Sequence, residues 1–397
     1  MAGDRYEVTV IGGGIHGAGV MQAAAAAGYK TLVIEQRHWA AGTSSRSSKL
    51  LHGGLRYLET AQLSLVRQSL QERNRLLELA PTLAHPLQFH IPIYAGTTRR
   101  PWQLVLGLSL YAVLSGLSRL SRFSWHRGAL AGLKADGLQK RFSYWDGQTD
   151  DALLTRAVVD SALSLGADAL CPATLTAAER TADGYRLTVV EGDDTRHIHT
   201  DFLVNCAGPW INRVQALVSP ETTQQTCELV KGSHLILQKR ISDDAFYLES
   251  PEDKRAIFLL PWGEHSLLGT TEQHFEGDPQ SVAVSPQERN YLLATARHYF
   301  PNADFKVIEE FAGLRVLPAG DASAFARPRE CIFHSDPEHP RLLALYGGKL
   351  TTYRHTAEQV IKAVTRQLGP RQAIADTTTL PLSSPVPVPT PGPSPGN

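Results

Sequence analysis

Gly12, Gly14 and Gly17 stand as G-x-G-x-x-G in the segment YEVTVIGGGIHGAG, and Glu35 follows Gly12 by 23 residues. Glycines at that spacing allow a tight turn, a close approach of backbone to a diphosphate, and close packing of helix on strand. An acid roughly 20 residues further on suits the hydroxyls of a ribose. Together they describe a dinucleotide site; the motif alone does not separate a flavin from a nicotinamide. A second group follows at Gly42–Glu59, GTSSRSSKLLHGGLRYLE, where Thr43, Ser44, Ser45, Ser47 and Ser48 precede Lys49, His52, paired glycines and Arg56. Such a loop is able to approach a planar ring and donate to its carbonyls and ring nitrogens. Composition alone describes a flexible Ser/Gly linker equally well.

Elements in the right order must position these groups. Tyr6–Ile11 reads as a buried parallel strand, and the alanine-rich Ala18–Ala27 as a helix stopped by Gly28. Thr31–Ile34 is a second strand that ends in Glu35. The helix N-terminus between them offers free N–H groups and the positive end of its dipole to an anion. Further on, Asp150–Leu165 has helical spacing. Tyr185–Val190 and Arg196–Thr200 flank a polar turn, EGDDT, and Asp201–Cys206 is another buried strand running into Ala207-Gly208-Pro209. His234–Gln238, Ala256–Leu260 and Ser266–Gly269 then follow as strands without helices between them. The expected fold class is α/β: a Rossmann-like nucleotide-binding domain interleaved with a mostly antiparallel β-sheet substrate domain. The nucleotide domain is assigned residues 1–88, 146–225 and 311–370, the second domain 89–145 and 226–310, and a tail 371–397.

Composition sets modest limits. A chain of 397 residues is too long for one ordinary core. Thirty-nine basic and thirty-nine acidic residues cancel, which gives no reason to propose nucleic acid. The four cysteines, Cys171, Cys206, Cys227 and Cys331, are widely spaced without C-x-x-C. They suggest reduced thiols in a cytoplasmic setting rather than a disulfide framework or zinc. The first strand begins almost at once, leaving no room for a signal peptide. His197 and His199 share a strand face and read as an exposed polar pair, so no metal is expected.

Charge is balanced overall but not locally. Between Arg99 and Arg141 the basic residues Arg99, Arg100, Arg119, Arg122, Arg127, Lys134, Lys140 and Arg141 face one acid, Asp136. Inside that stretch, Pro101–Ser118 carries no charge. An interfacial helix on anionic lipid, a buried core helix and a membrane span all compete for it. From Pro381 to Asn397 there are seven prolines in seventeen residues, expected to be extended and unpacked.

The segment GTSSRSSKLLHGGLRYLE resembles the flavin-contacting segment of FAD-dependent glycerol-3-phosphate dehydrogenases, in the D-amino-acid-oxidase-like superfamily. The resemblance continues in family order through VNCAGPW (204–210), LVKGSH (229–234), LPWGEHSLLGTTE (260–272), GLRVLP (313–318) and YGGKLTTYR (346–354). It implies FAD as cofactor, held by Gly12, Gly14, Gly17, Glu35, Thr43, Ser44, Ser45, Ser48, Lys49, Gly53, Gly54, Gly208, Gly348, Lys349, Leu350 and Thr351. It further implies oxidation of sn-glycerol 3-phosphate to dihydroxyacetone phosphate, with electrons passed to a quinone. Arg56 and Arg315 match family arginines at the substrate, and guanidinium forks bind phosphate oxygens in pairs. Arg329 is a third such residue on a looser match. Lys349 suits the flavin pyrimidine edge or the substrate phosphate, and His234 and Thr271 fall on motifs near the substrate. His234 and then His52 are the candidate acceptors of the hydroxyl proton.

Several residues depart from the family pattern. His16 stands where asparagine is common, a change expected to tune only the turn. Glu272 replaces aspartate, which is expected to displace a contact near the substrate, and Cys206 replaces a smaller residue. Longer family members carry a C-terminal helical domain where this sequence has only the proline-rich tail. The alternatives are action on another hydroxy-phosphate or hydroxy acid, an oxygen-using oxidase, or an inactive flavin-binding regulator. The expected location is the cytoplasmic face of the inner membrane, with no protein partner indicated.

Overall fold

Residues 4–58, 62–319 and 330–385 are described by a computed structural model of the chain. They form two large sheets whose strands alternate along the sequence. At the centre of the first, strand β1 (Asp4–Ile11) pairs in parallel with β2 (Thr31–Ile34) on one side. On its other side it pairs with the strand Asp194–Asn205, again in parallel. That long strand takes in both Arg196–Thr200 and the buried run to Asn205, so the two sequence segments are one element. Beyond Asn205 the chain turns at Ala207-Gly208 toward the edge of β1. The strand Leu342–Tyr346 adds in parallel to Leu203, Val204 and Asn205 at the end of that long strand.

Helix α1 (Ile15–Ala26) bridges β1 and β2 and is buried at every position except His16. An alanine-rich helix fits there because it lies under the sheet, α4 (Asp151–Ser164) and α7 (Tyr353–Leu368) at once. A Cβ at Gly17 would lie 1.8 Å from the Gly12 carbonyl oxygen, so only glycine lets the helix sit this close to the turn. Gly12 has φ +108°, and a Cβ there would lie 2.6 Å from the Cys206 carbonyl oxygen. The glycine spacing thus encodes packing as much as ligand approach.

The second sheet is mostly antiparallel. Its central path runs through the strands Cys227–Leu237, His265–Gly269, Ala256–Trp262, Ala245–Glu249, Ala84–Tyr94 and Leu138–Thr149. Only the Ala245–Glu249 pairing with Ala84–Tyr94 is parallel among those neighbours. Val307–Pro318 lies antiparallel to Cys227–Leu237, which sets Arg315 opposite Val230 and Ala312 opposite Ser233. Helix α6 (Pro286–Tyr299) packs on this sheet and starts with a Ser285–Glu288 capping box. The short α5 (Ile211–Gln215) follows the Ala207–Trp210 turn. Helix α2 (Leu63–Leu79) is locked to α7 by a buried bidentate pair, Arg354 Nε and Nη2 to Glu72 at 2.8 and 2.6 Å.

Two expectations change. The uncharged stretch forms α3 (Pro101–Leu114), which buries Leu104, Leu108 and Tyr111 along one face. Trp102, Leu106 and Val113 on its other side are 61–64 % exposed. No helix among the described residues is long and apolar enough to cross a membrane. The helix is neither a span nor a fully buried core element. The chain after α7 is also not free at 371–385. Ile374 N–H donates to the Ala26 carbonyl at 2.8 Å, and Leu382 N–H to the Leu79 carbonyl at 2.7 Å. Leu382 is buried among Leu76, Ala80 and Leu83, so an apolar side chain anchors a segment that its prolines suggested was unpacked. Residues 386–397 of that tail lie outside the described residues.

Candidate active site

A cavity of about 550 Å³ opens between the two sheets, and its wall draws on both. At one end lie Gly12, Gly14, Glu35 and the first turn of α1. Glu35 accepts from the N–H groups of Gly13 (2.6 Å) and Arg37 (2.8 Å), which fixes its carboxylate at the end of β2. The N-cap of α1 is Gly14, with no side-chain cap of its own and no acid in the first turn. Ser44 Oγ accepts from Ile15 N–H at 2.9 Å, so the hydroxyl loop docks on the helix start. A glycine turn in which backbone fills the Cβ positions of Gly12 and Gly17, a helix start with no acid in its first turn, and an oriented acid fit the diphosphate and ribose of FAD.

The hydroxyl loop is ordered rather than a linker. Thr43 Oγ1 donates to the Leu314 carbonyl (2.6 Å), tying the loop to the second sheet. Ser48 Oγ shares a hydrogen bond with His234 Nε2 at 2.8 Å. Thr43, Ser44, Ser48, His52, Gly54, Gly208, Gly348, Lys349, Leu350 and Thr351 all line the cavity. Gly17, Ser45, Lys49 and Gly53 do not. Lys49 corrects its sequence reading: its ammonium turns inward to Asp151 Oδ1 (2.5 Å) and the Ser45 carbonyl (2.8 Å). With φ +59° and both charges buried, it staples the loop to the start of α4 instead of reaching the cofactor. Ser45 likewise spends its hydroxyl on the Gly42 carbonyl.

The wall also holds His234, Arg315, Thr271, Glu272, Arg255, His52, Tyr57 and Lys349. His234 stacks on Phe311 with ring centroids 4.9 Å apart. Burial, then the nearby Arg315 and Lys49 cations, push its pKa down to about 3, so the imidazole is neutral at any working pH. Arg315 Nη1 lies 3.3 Å from Glu272 Oε1, so the longer acid in place of aspartate forms an ion pair with this arginine. Lys349 caps the turn Leu350–Thr352 ahead of α7, and its ammonium sits 3.9 Å above the Tyr57 ring.

Thr271 is on the wall, but its hydroxyl is already used: it accepts from Ser233 N–H (2.9 Å) and donates to Glu288 (2.7 Å). Glu288 also takes Ser233 Oγ (2.8 Å) and Lys231 Nζ (2.7 Å), so Thr271 belongs to a buried brace. His16 does more than tune the turn, because its ring lines the cavity and packs against Gly348, where a Cβ would lie 2.2 Å from Nε2. Arg56 sits in the short helix Leu55–Leu58; its side chain, and all of Arg329, lie outside the described residues.

Sequence reasoning missed Arg255, which donates to the Glu272 carbonyl oxygen at 2.9 Å and lines the cavity beside Arg315. Within SPEDKRAIF it reads as part of a charged turn, and only the sheet brings it to the site. Tyr57 and Trp210 were missed likewise. His199 shares a surface cluster with Asp183 and Asp201, but Arg5 already pairs with both acids, at 2.9 and 2.7 Å.

Comparison with known proteins agrees with this geometry. Residues 7–354 match the family model "DAO: FAD dependent oxidoreductase". The chain is 38% identical over 366 residues to D-erythritol 1-phosphate dehydrogenase of Brucella abortus, covering 90% of this chain and 73% of that protein. It is 34% identical to the aerobic glycerol-3-phosphate dehydrogenase of Escherichia coli K12, covering 91% and 74%. Among solved structures, the glycerol-3-phosphate dehydrogenase of Bacillus halodurans complexed with FAD superposes with a TM-score of 0.74 at 27% identity, over 96% of this chain and 68% of that one. With the phosphate turn, the oriented Glu35 and the interleaved sheets in place, the chain belongs to the DAO family of FAD-dependent oxidoreductases, and FAD is its cofactor.

Proposed function

We propose that this enzyme oxidises sn-glycerol 3-phosphate to dihydroxyacetone phosphate and passes the electrons to a quinone at a membrane surface. The observation that carries the substrate reading is a set of cations, Arg255, Arg315 and Lys349, lining the same cavity as a neutral, buried His234. Guanidinium and ammonium groups in a partly dry site suit a phosphate dianion. FAD, when bound, supplies the hydride acceptor. His234 accepts the carbinol proton at Nε2, the nitrogen that Ser48 marks, and its neutrality leaves it ready to do so. Beside burial, the Arg315 cation also depresses the base; binding the dianion offsets that cation and raises the basicity of His234 when substrate is present.

The membrane reading rests on α3. Its outer face is apolar, and Arg100, Arg122 and Arg127 around it are exposed, as is Trp125 at 55 %. Such a face suits shallow insertion among anionic headgroups. Arg99 and Arg141 do not contribute, since they turn inward to Glu249 (3.5 Å) and His90 (2.8 Å).

A second reading is a longer polyol phosphate. Glu272 places a carboxylate in the cavity beside Arg315, an acceptor for a further hydroxyl, and the Brucella relative is a D-erythritol 1-phosphate dehydrogenase. Anaerobic titration separates the two. Bleaching of the flavin band by sn-glycerol 3-phosphate, with no response to glycerol or the opposite enantiomer, supports the first. Bleaching by D-erythritol 1-phosphate alone replaces it with the second, and a flavin that stays oxidised with both sinks the polyol-phosphate assignment. Reduction of a quinone analogue rather than oxygen checks the acceptor.

A further inference from the structure

The buried face of α3 reaches the substrate end of the cavity through one carboxylate. Tyr111 Oη lies 3.2 Å from each carboxylate oxygen of Asp146. Asp146 lines the cavity, pairs with Arg73 Nη1 at 2.9 Å, and accepts from the N–H of Gly53 at 3.1 Å. Arg73 also reaches Ser115 Oγ, just past the end of α3, at 3.3 Å. Gly53 is the link between His52 and Gly54, which both line the cavity, and it leads into the turn that carries Arg56 and Tyr57. Contact there is tight: a Cβ at Gly53 would lie 2.4 Å from Tyr111 Oη and 2.3 Å from Leu70 Cδ2.

We propose that Tyr111 and Asp146 are positioning residues that set the height of the 52–58 loop over the substrate, so that α3 and the substrate-binding loop move together. Asp146 is held by the Arg73 pair whether or not Tyr111 has a hydroxyl, so folding alone does not require that group. What the phenol adds is a second fix on both carboxylate oxygens and a hard stop against Gly53. A buried network of this kind acts through mutual placement, and its members are coupled beyond the sum of their separate contacts. The inference rests on the reading that the loop contacts a phosphorylated alcohol.

The test is a cycle of Tyr111→Phe, Gly53→Ala and the double variant, with FAD content, melting temperature, KM and kcat measured for each. Tyr111→Phe is expected to raise KM about tenfold, with kcat within about twofold and FAD content unchanged. Gly53→Ala should raise KM more in the wild-type background than in the Tyr111→Phe background, because the latter lacks the hydroxyl oxygen that the new Cβ meets. An unchanged KM in Tyr111→Phe, or the same factor for Gly53→Ala in both backgrounds, overturns the proposal. Wild-type protein titrated alongside reports on the substrate reading separately. If neither polyol phosphate reduces its flavin, the Kd of inorganic phosphate, read from the flavin spectrum, takes the place of KM. A tenfold weaker Kd in Tyr111→Phe then supports the positioning role, and an equal Kd overturns it.

Discussion

Lys49→Met separates a cofactor ligand from a structural staple. The Lys49 ammonium is 2.5 Å from Asp151 Oδ1, with side chains 8 % and 0 % exposed. Removing one member of a buried pair leaves an uncompensated charge, which costs about 3–5 kcal/mol. Asp151 keeps N–H donors from Ser47 and Ala152 and sits in the first turn of α4, so the lower end of that range applies. Unfolding entropy of about 2.1 cal/mol/K per residue over 397 residues converts about 3 kcal/mol into a melting-point drop of about 4 °C. Thermal unfolding followed by circular dichroism, with bound FAD quantified after gel filtration, measures both effects. The double variant Lys49→Met/Asp151→Leu should recover most of the loss, because it leaves no buried charge behind. Retained stability with lost FAD would show that the ammonium holds the cofactor, and the staple argument would be wrong.

Three other expectations follow from the same geometry. Arg315→Ala should lower kcat/KM about a hundredfold while FAD stays bound, as one charge-assisted pair to phosphate is lost; unchanged turnover removes Arg315 from the substrate site. Stability should fall as pH drops below about 6.5, since the unfolded chain protonates its histidines there while His234 stays neutral until about pH 3 and His16 until about 4. At pH 5 the His234 contribution is about 2 kcal/mol, so urea midpoints at pH 7.5 and 5.0 should differ less in His234→Gln than in wild type; equal differences refute it. Trp102→Ser/Leu106→Ser should weaken sedimentation with phosphatidylglycerol vesicles by at least about a hundredfold, given some 1.5–3 kcal/mol for burying each side chain. If the wild-type protein fails to sediment, the membrane reading falls.

The cofactor half of the site was legible in the sequence because its physics is local. Gly12, Gly14 and Gly17 lie within one strand–helix–strand unit with Glu35 at the end of its second strand, so their placement follows from backbone geometry that the motif specifies. The interleaving of the two sheets was legible from strand and helix periodicity. Which hydroxyls and cations face the cavity was not. Ser48 and Lys49 are adjacent in sequence, yet one meets His234 and the other is buried against Asp151, because the positive φ at Lys49 turns its side chain away. Arg255 and Arg315 meet at Glu272 only because strands distant in the chain are brought side by side. The uncharged stretch at 101–118 left an interfacial helix, a core helix and a span open, and only packing decided that Tyr111 faces inward while Trp102 and Leu106 face out. The sequence by itself determined what is short-range: the dinucleotide turn, its acid, and the family motifs that point to FAD. The tertiary structure decided which charges are neutralised, which are left facing the cavity, and how α3 is tied to the 52–58 loop, since those depend on contacts between residues tens to hundreds of positions apart.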